Sequence, residues 1–304
     1  MNLRKAALLV LSGAGLYSVA NYSAEVANSR PKKRILQSKP FWVIAHRGFS
    51  GRYPENTMLA FEKAVALPID AIELDLHSTR DGKIVVIHDP TLDRTTNRNG
   101  RVFDYTWDTL RKMDAGFLCD PDATGEYPFR EMGIGIPLLE DVLRSFPQLK
   151  FIIEIKQTLP AIEELVYRII RKCKMEENVI VASEHSEPLL RFRNLAPHVA
   201  TSLSKSEASD LHRLYRLGLV NFYRTKGDVI AIPETYKEER VVNRGFIRAA
   251  ARKGLTFHIW TVNDAQDMQR LLDWGVNGII TDYPDRLLEV VADREKRIRD
   301  SVPQ

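Results

Sequence analysis

Residues 73–89 read ELDLHSTRDGKIVVIHD, and this stretch predicts two strands joined by a tight turn. Side chains alternate between the faces of a strand, so Glu73 and Asp75 point the same way and their apolar neighbours point the other way. The Asp-Gly pair that follows is a turn signal, and the connection is too short for a parallel crossover. The second run therefore forms a hairpin that returns His88 to the two carboxylates. Adjacent carboxylates repel unless a cation separates them, and such hard oxygen ligands suit Mg²⁺ or Ca²⁺. The alternative is an edge hairpin with solvated carboxylates.

A further strand, residues 150–156, places Ile152, Glu154 and Lys156 on one face. A carboxylate within so apolar a run is costly unless it is paired or bound to a metal. Glu154 is therefore a candidate third ligand. Ion pairing with Lys156 is the simpler alternative.

The rest of the chain alternates strands with helices, a pattern that predicts a parallel sheet. Without the return strand of the hairpin, eight strands remain. They begin near residues 41, 71, 150, 179, 199, 229, 256 and 278. Eight parallel strands with helices between them predict an α/β fold of the (β/α)8 TIM-barrel type, with an insertion at about 95–135 after the hairpin of the second barrel strand. Long insertions of this kind are often functional lids.

In such a barrel the residues that perform chemistry lie at the C-terminal ends of the strands. Several polar or aromatic residues fall at these ends: His46, Glu73, Asp75, Glu154, Lys156, Trp260 and Asp282. This coincidence predicts one catalytic site at the top of the barrel.

The N-terminal residues differ from the rest. Arg4 and Lys5 precede about fifteen mostly apolar residues, the pattern of a signal peptide or a signal anchor. We expect residues 1–22 to be a signal peptide or N-terminal membrane anchor, and 23–40 a basic linker. The barrel domain then covers 41–295 and a tail covers 296–304. The protein is accordingly expected to be membrane-anchored or exported, whether or not the segment is cleaved.

The overall composition excludes some functions. The 304 residues are 44% apolar and carry a net charge of +4, which is ordinary for a globular domain. Because no basic run is interleaved with aromatic residues, a nucleic-acid partner is not expected. The two cysteines, Cys119 and Cys173, are far apart and form no metal motif.

Several short motifs occur in a characteristic order. They are His46-Arg47-Gly48, Pro54-Glu55-Asn56-Thr57, Glu73-Leu74-Asp75, Thr79 with Asp81-Gly82, His88-Asp89, Arg94-Thr95-Thr96, Glu154-Ile155-Lys156 and Thr281-Asp282-Tyr283-Pro284. Together they resemble the glycerophosphodiester phosphodiesterase (GDPD) family over about residues 41–292. The segments around Tyr127 and Ile136 are similar to the insertion of its bacterial form.

The resemblance implies a barrel of the PLC-like phosphodiesterase type with one divalent cation, Mg²⁺ or Ca²⁺. It assigns Glu73, Asp75 and Glu154 to the metal and His46 and His88 to acid/base catalysis. The implied substrate contacts are Arg47 and Asn56 at the phosphate, Lys156 at the glycerol or phosphate, and Trp260 as an apolar wall near the alcohol.

The implied reaction is hydrolysis of a glycerophosphodiester to sn-glycerol 3-phosphate and an alcohol. His88 is favoured as the proton donor to the leaving group, and the attacking group is either water or a neighbouring hydroxyl of the substrate. Two alternatives stay open. One is a lysophospholipase D that acts on lysophospholipids at a membrane, which an exposed apolar lid would favour. The other is a non-catalytic protein that binds phosphodiesters.

Overall fold

The computed structural model describes residues 32–301 and contains the predicted barrel. Its eight parallel strands are β1 (Trp42–His46), β2 (Ala71–Ser78), β4 (Lys150–Ile155), β5 (Val179–Ala182), β6 (Ala200–Thr201), β7 (Val229–Ile232), β10 (Thr256–Ile259) and β11 (Gly278–Thr281). From β1 to β6 and from β7 to β11 each strand pairs with the next of this set, and β11 pairs with β1. A parallel bridge between Ser202 and Val229 joins β6 to β7 and closes the barrel.

Two antiparallel hairpins interrupt the parallel order. Strand β3 (Ile84–Val86) returns along β2, with Leu76 opposite Val86, so the hairpin predicted from residues 73–89 is confirmed. Strands β8 (Thr235–Tyr236) and β9 (Glu239–Arg240) form a small exposed hairpin that follows β7.

The outer layer is helical. Its members are α1 (Met58–Val65), α2 (Trp107–Leu110), α3 (Leu139–Ser145), α4 (Glu163–Lys172), α5 (Ser186–Leu195), α6 (Lys205–Arg216), α7 (Arg244–Arg252), α8 (Ala265–Trp274) and α9 (Pro284–Asp300). Side-chain caps fix several starts: Thr57 caps α1, and Ser204 forms a capping box with Glu207 in α6. The sequence had predicted a tail over residues 296–304. Because α9 runs to Asp300, residues 296–300 instead continue this helix.

The barrel interior is packed with side chains and is closed from below. Its apolar residues include Trp42, Ile44 and Ile152, and Ile35 and Leu36 pack against them from a 3-10 helix, Arg34–Gln37. This part of the predicted linker therefore belongs to the folded domain, because two large apolar side chains are removed from water there.

The insertion has a small hydrophobic core of its own. Val102, Leu110, Met113 and Ile136 pack under the hairpin strand β3, while Phe103, Leu118 and Met132 are more than a third exposed. The insertion is thus an ordered subdomain beside the site, not a predominantly apolar lid.

The predicted signal or anchor, residues 1–22, lies outside the described residues. Among residues 32–301, no helix combines the length and the apolar character that crossing a membrane requires.

Candidate active site

The strand register brings three carboxylates together. His46 pairs with Glu73 across β1 and β2, and Asp75 pairs with Glu154 across β2 and β4. One oxygen from each of Glu73, Asp75 and Glu154 lies within 4.8 Å of the others. The three residues predicted as metal ligands therefore form one cluster.

Two cations contact this cluster. Lys156 Nζ lies 2.8 Å from Glu154 Oε2 and 3.1 Å from Asp75 Oδ1, so the ion pair considered as the simpler alternative is present. Arg47 Nε lies 3.2 Å from Asp75 Oδ2. Burial opposes the charge of Asp75, but Lys156 and Arg47 outweigh burial and leave the pKa of that carboxyl lowered.

The cluster holds three carboxylates against the two cations Lys156 and Arg47, a set of oxygen ligands that fits a divalent cation. Asp75 Oδ1 is buried and accepts no aligned hydrogen bond within the part of the chain that the structure describes. Burial and then the charge of Asp75 raise the pKa of Glu73 to about 8. A shared hard cation satisfies buried carboxylate oxygens of this kind.

Asp282 orients His46. His46 Nδ1 lies 2.6 Å from Asp282 Oδ1, and Ser50 and Asn263 donate further hydrogen bonds to the same carboxylate. The other ring nitrogen, Nε2, is 3.9 Å from Glu73 Oε2. Burial alone would lower the pKa of His46, but the hydrogen bond to Asp282 and the charge of Glu73 leave it raised.

His88 is held in the same manner by its neighbour in sequence. Its Nδ1 lies 2.6 Å from Asp89 Oδ1, and Arg94 Nε donates to Asp89 Oδ2 at 2.7 Å. Burial lowers the pKa of His88 despite the nearby charge of Asp75. In both histidines the aspartate contacts Nδ1 and does not contact Nε2. This arrangement is the one that acid/base catalysis through Nε2 needs.

The loop that follows β1 positions Arg47 and Asn56. Both residues have left-handed backbone conformations, with φ of 54° and 57°, and Asn56 N–H donates to Arg47 C=O at 2.9 Å. Arg47 Nη1 donates to Glu55 Oε1 at 2.9 Å, and Asn56 Nδ2 donates to Asp75 Oδ2 at 2.9 Å. The turn directs a guanidinium and an amide at the carboxylate cluster.

Two cavities flank Glu154. One, of about 390 Å³, is lined by His88, Lys156 and Gln157 together with apolar residues such as Phe103. The other, of about 330 Å³, is lined by Trp260, by Ala231 and Ile232 of β7, and by both polar and apolar residues of α6. Both cavities therefore open beside Glu154 of the carboxylate cluster.

The comparisons with known proteins agree with this geometry. Residues 46–286 match the glycerophosphoryl diester phosphodiesterase family. The chain belongs to this family. The predicted resemblance to this family is therefore confirmed, and the similar proteins are mostly bacterial. The prediction that the protein is a phosphodiesterase is confirmed as well.

Relatives within the family are close and cover most of the chain. A glycerophosphodiester phosphodiesterase of Bacillus subtilis is 35% identical over 288 residues, which are 92% of this chain and 94% of that protein. One from Caldanaerobacter subterraneus is 36% identical and covers 82% of this chain and 97% of its own. A lysophospholipase D of Rattus norvegicus is 28% identical and covers 93% of this chain and 96% of its own.

Solved structures share the fold. A glycerophosphodiester phosphodiesterase from Agrobacterium tumefaciens has a TM-score of 0.66 at 26% identity and covers 81% of this chain and 98% of its own. An Oleispira antarctica phosphodiesterase, solved with the product sn-glycerol-3-phosphate, has a TM-score of 0.66 at 22% identity, covering 82% of this chain and 96% of its own. The predicted TIM barrel is confirmed.

All nine predicted site residues of this phosphodiesterase lie at the C-terminal end of the barrel, around or beside the carboxylate cluster. Sequence reasoning placed Asp282 at a barrel strand end but gave no specific role to Asp282, Asp89 or Arg94, although each stands in one of the motifs that carried the resemblance. Two positions could have indicated such roles. Asp89 directly follows the predicted catalytic His88, and Asp282 directly follows a barrel strand. His77, on the same face of β2 as Glu73 and Asp75, is buried and its Nε2 lies 3.1 Å from His88 C=O.

Proposed function

We propose that this enzyme hydrolyses glycerophosphodiesters to sn-glycerol 3-phosphate and an alcohol, with one bound divalent cation. The observation that carries the proposal is the convergence of three buried carboxylates with two histidines, each oriented by its own aspartate. A protein that only binds phosphodiesters has no need of two oriented acid/base groups. Names of the relatives and the product complex of the Oleispira protein support the same reaction.

The cation site consists of Glu73, Asp75 and Glu154. A bound Mg²⁺ or Ca²⁺ would neutralise charge on the phosphate as the reaction proceeds. Both ions accept three carboxylates as ligands, so either is proposed.

The protein's own cations and amides bind the rest of the phosphate. Arg47 is planar and permanently charged, and its Nε is buried without an aligned acceptor within residues 32–301. We propose that this N–H donates to a phosphate oxygen. Lys156 lies between Asp75 and Glu154 and reaches the glycerol or phosphate, while Asn56 holds Asp75 in position and contacts phosphate.

The two histidines divide the proton transfers. His46 removes the proton from the attacking water or from the neighbouring hydroxyl of the substrate, and His88 protonates the leaving alcohol as its bond to phosphorus breaks. A lowered pKa makes protonated His88 the stronger acid, although it reduces the protonated fraction in the free enzyme.

Turnover of glycerophosphocholine with Mg²⁺, with Ca²⁺ and with chelator tests the proposal. We expect cation-dependent release of choline and sn-glycerol 3-phosphate, and loss of about 10²–10⁴-fold in rate in His46→Ala and His88→Ala. Absence of turnover in the folded protein with either cation would contradict the proposed function.

A second substrate separates the roles of the histidines. In a glycerophosphodiester of p-nitrophenol the leaving group departs without a proton, so His88→Ala should lose far less activity than on glycerophosphocholine, whereas His46→Ala should lose similar activity on both. Rescue of His46→Ala instead would reverse the two roles.

We also propose that residues 1–22 direct the enzyme to a membrane or out of the cytoplasm, as a signal or an anchor. The support is the basic start followed by an apolar run. Fractionation of cells that express the full chain tests this, and recovery solely in the cytoplasmic fraction would contradict it.

A further inference from the structure

His77 is a buried histidine to which the proposed reaction gives no part. It lies on β2, two residues after Asp75, and its side chain is on the same face of that strand as Glu73 and Asp75. Its Nε2 lies 3.1 Å from the carbonyl oxygen of His88. A ring nitrogen without a proton would repel that oxygen, so Nε2 carries the proton and donates the hydrogen bond.

The strand pairing that holds the hairpin ends just before His88. Strand β3 ends at Val86, and Ile87 N–H still donates to Asp75 C=O at 2.9 Å. The next contact along the chain is the one from His77, which holds the peptide group that joins His88 to Asp89. His77 therefore fixes the main chain at the point where the strand no longer does.

Two different contacts thus determine where the ring of His88 lies. Asp89 contacts Nδ1 of the ring at 2.6 Å, but Asp89 is the next residue in the chain, so this contact orients the ring relative to its own backbone. His77 connects that backbone to β2, the strand that carries Glu73 and Asp75. The position of His88 relative to the carboxylate cluster accordingly depends on His77.

We propose that His77 is a positioning residue for His88, and that its hydrogen bond to the His88 carbonyl places the imidazole at the correct distance from the leaving alcohol. This inference rests on the proposed function, in which His88 protonates that alcohol. Proton transfer requires hydrogen-bond distance between the two heavy atoms, and a displacement of about 1 Å can cost about 10²-fold in rate. A histidine that only filled space in the core would stabilise the fold without favouring one substrate over another.

His77→Leu removes the donor and keeps a similar side-chain volume. On glycerophosphocholine we expect kcat to fall by about 10-fold to 10²-fold with little change in KM. On the glycerophosphodiester of p-nitrophenol, whose leaving group needs no proton, the loss should be less than about threefold. His258→Leu is the matched control, because it replaces another buried histidine of the barrel, one whose ring has no hydrogen bond within residues 32–301. It should change the activity on both substrates by the same factor.

Two amide variants test the reach of the donor. The amide nitrogen of His77→Gln can occupy the place of the imidazole Nε2, whereas the amide of His77→Asn is one bond shorter and does not reach the His88 carbonyl. We expect His77→Gln to stay within about threefold of the wild type on glycerophosphocholine and His77→Asn to lose about as much as His77→Leu. Both variants bury an amide, so the comparison remains valid even if His77→Leu does not fold.

A double-mutant cycle with His88→Ala shows whether His77 acts through His88. In the His88→Ala protein, His77→Leu should cause no further loss on glycerophosphocholine, because the ring that it positions is absent. The positioning role would be overturned by additive losses in this cycle or by equal activity of the two amide variants. It would also be overturned if His77→Leu lost equal activity on both substrates while His88→Ala did not. All these outcomes leave the proposed function intact, whereas no turnover of either diester by the wild type would count against that function itself.

Discussion

Arg94 and Glu55 form a bidentate ion pair, in which Nη1 and Nη2 each donate to one carboxylate oxygen at 2.7 Å. The same guanidinium donates to Asp89, which orients His88. Glu55 in turn accepts from Arg47. Arg94 thereby connects the proposed acid/base histidine, His88, to the proposed phosphate-binding arginine, Arg47, and it comes from the polar segment that leads into the insertion.

This pairing predicts that Arg94 is a positioning residue. Arg94→Lys should lower kcat/KM on glycerophosphocholine by about tenfold or more, because an ammonium cannot make two bidentate pairs at once. Kinetics of Arg94→Lys beside Arg98→Lys, an exposed arginine of the same loop, provide the check. Equal activity in both variants would show that Arg94 has no such role.

Asp282 should act through His46. Asp282→Asn keeps the shape of the side chain but removes the charge that favours the imidazolium, so we expect kcat to fall by about 10²-fold with a smaller change in KM. Ser50→Ala removes a hydrogen bond to the same oxygen and leaves the carboxylate, and it should lose less than about tenfold. A larger loss in Ser50→Ala than in Asp282→Asn would contradict this order.

The carboxylate cluster predicts that Glu73 stabilises the protein only when a cation is bound. Glu73→Gln should abolish the rise in melting temperature that Mg²⁺ or Ca²⁺ gives, because a ligand is lost. In the presence of chelator it should melt no lower than the wild type, since a carboxyl whose ionisation is opposed by burial and by the charge of Asp75 has been replaced by a neutral amide of the same shape. Glu184→Gln, at the exposed rim of both cavities, is the control and should retain the cation-dependent rise.

His258 should make stability depend on pH. It is fully buried inside the barrel beside Trp42, neither ring nitrogen has a hydrogen bond within residues 32–301, and burial lowers its pKa to about 3. The unfolded chain binds a proton near pH 6.5 that the folded protein does not, so stability falls as the pH drops through the window from about 6.5 to about 3.

The measurement is urea unfolding at pH 7 and pH 5 with His258→Leu, which fills similar volume without titrating. Wild type should lose about 2 kcal/mol more than the variant between these two pH values, at about 1.4 kcal/mol per pH unit for one proton. Identical pH dependence of both proteins would show that His258 is protonated equally in the folded and unfolded states.

The sequence alone determined the parts that depend on local periodicity. Alternation along β2 fixed that Glu73 and Asp75 share a face, and the short Asp-Gly connection fixed that His88 returns beside them. The strand–helix alternation fixed the barrel, because parallel strands joined by helices leave few topologies.

Only the tertiary structure decided contacts between residues distant in the chain. The Asp282 carboxylate reaches His46 across 236 positions, and Arg94 reaches Glu55 across 39. No period in the sequence encodes such pairs, because they depend on closure of the barrel and on the path of the insertion. The burial of His258 and the cavity between β7 and α6 arise in the same way, because both depend on how helices and strands pack around one another. Local sequence thus indicated the candidate catalytic histidines, and packing specified which carboxylate contacts each of them.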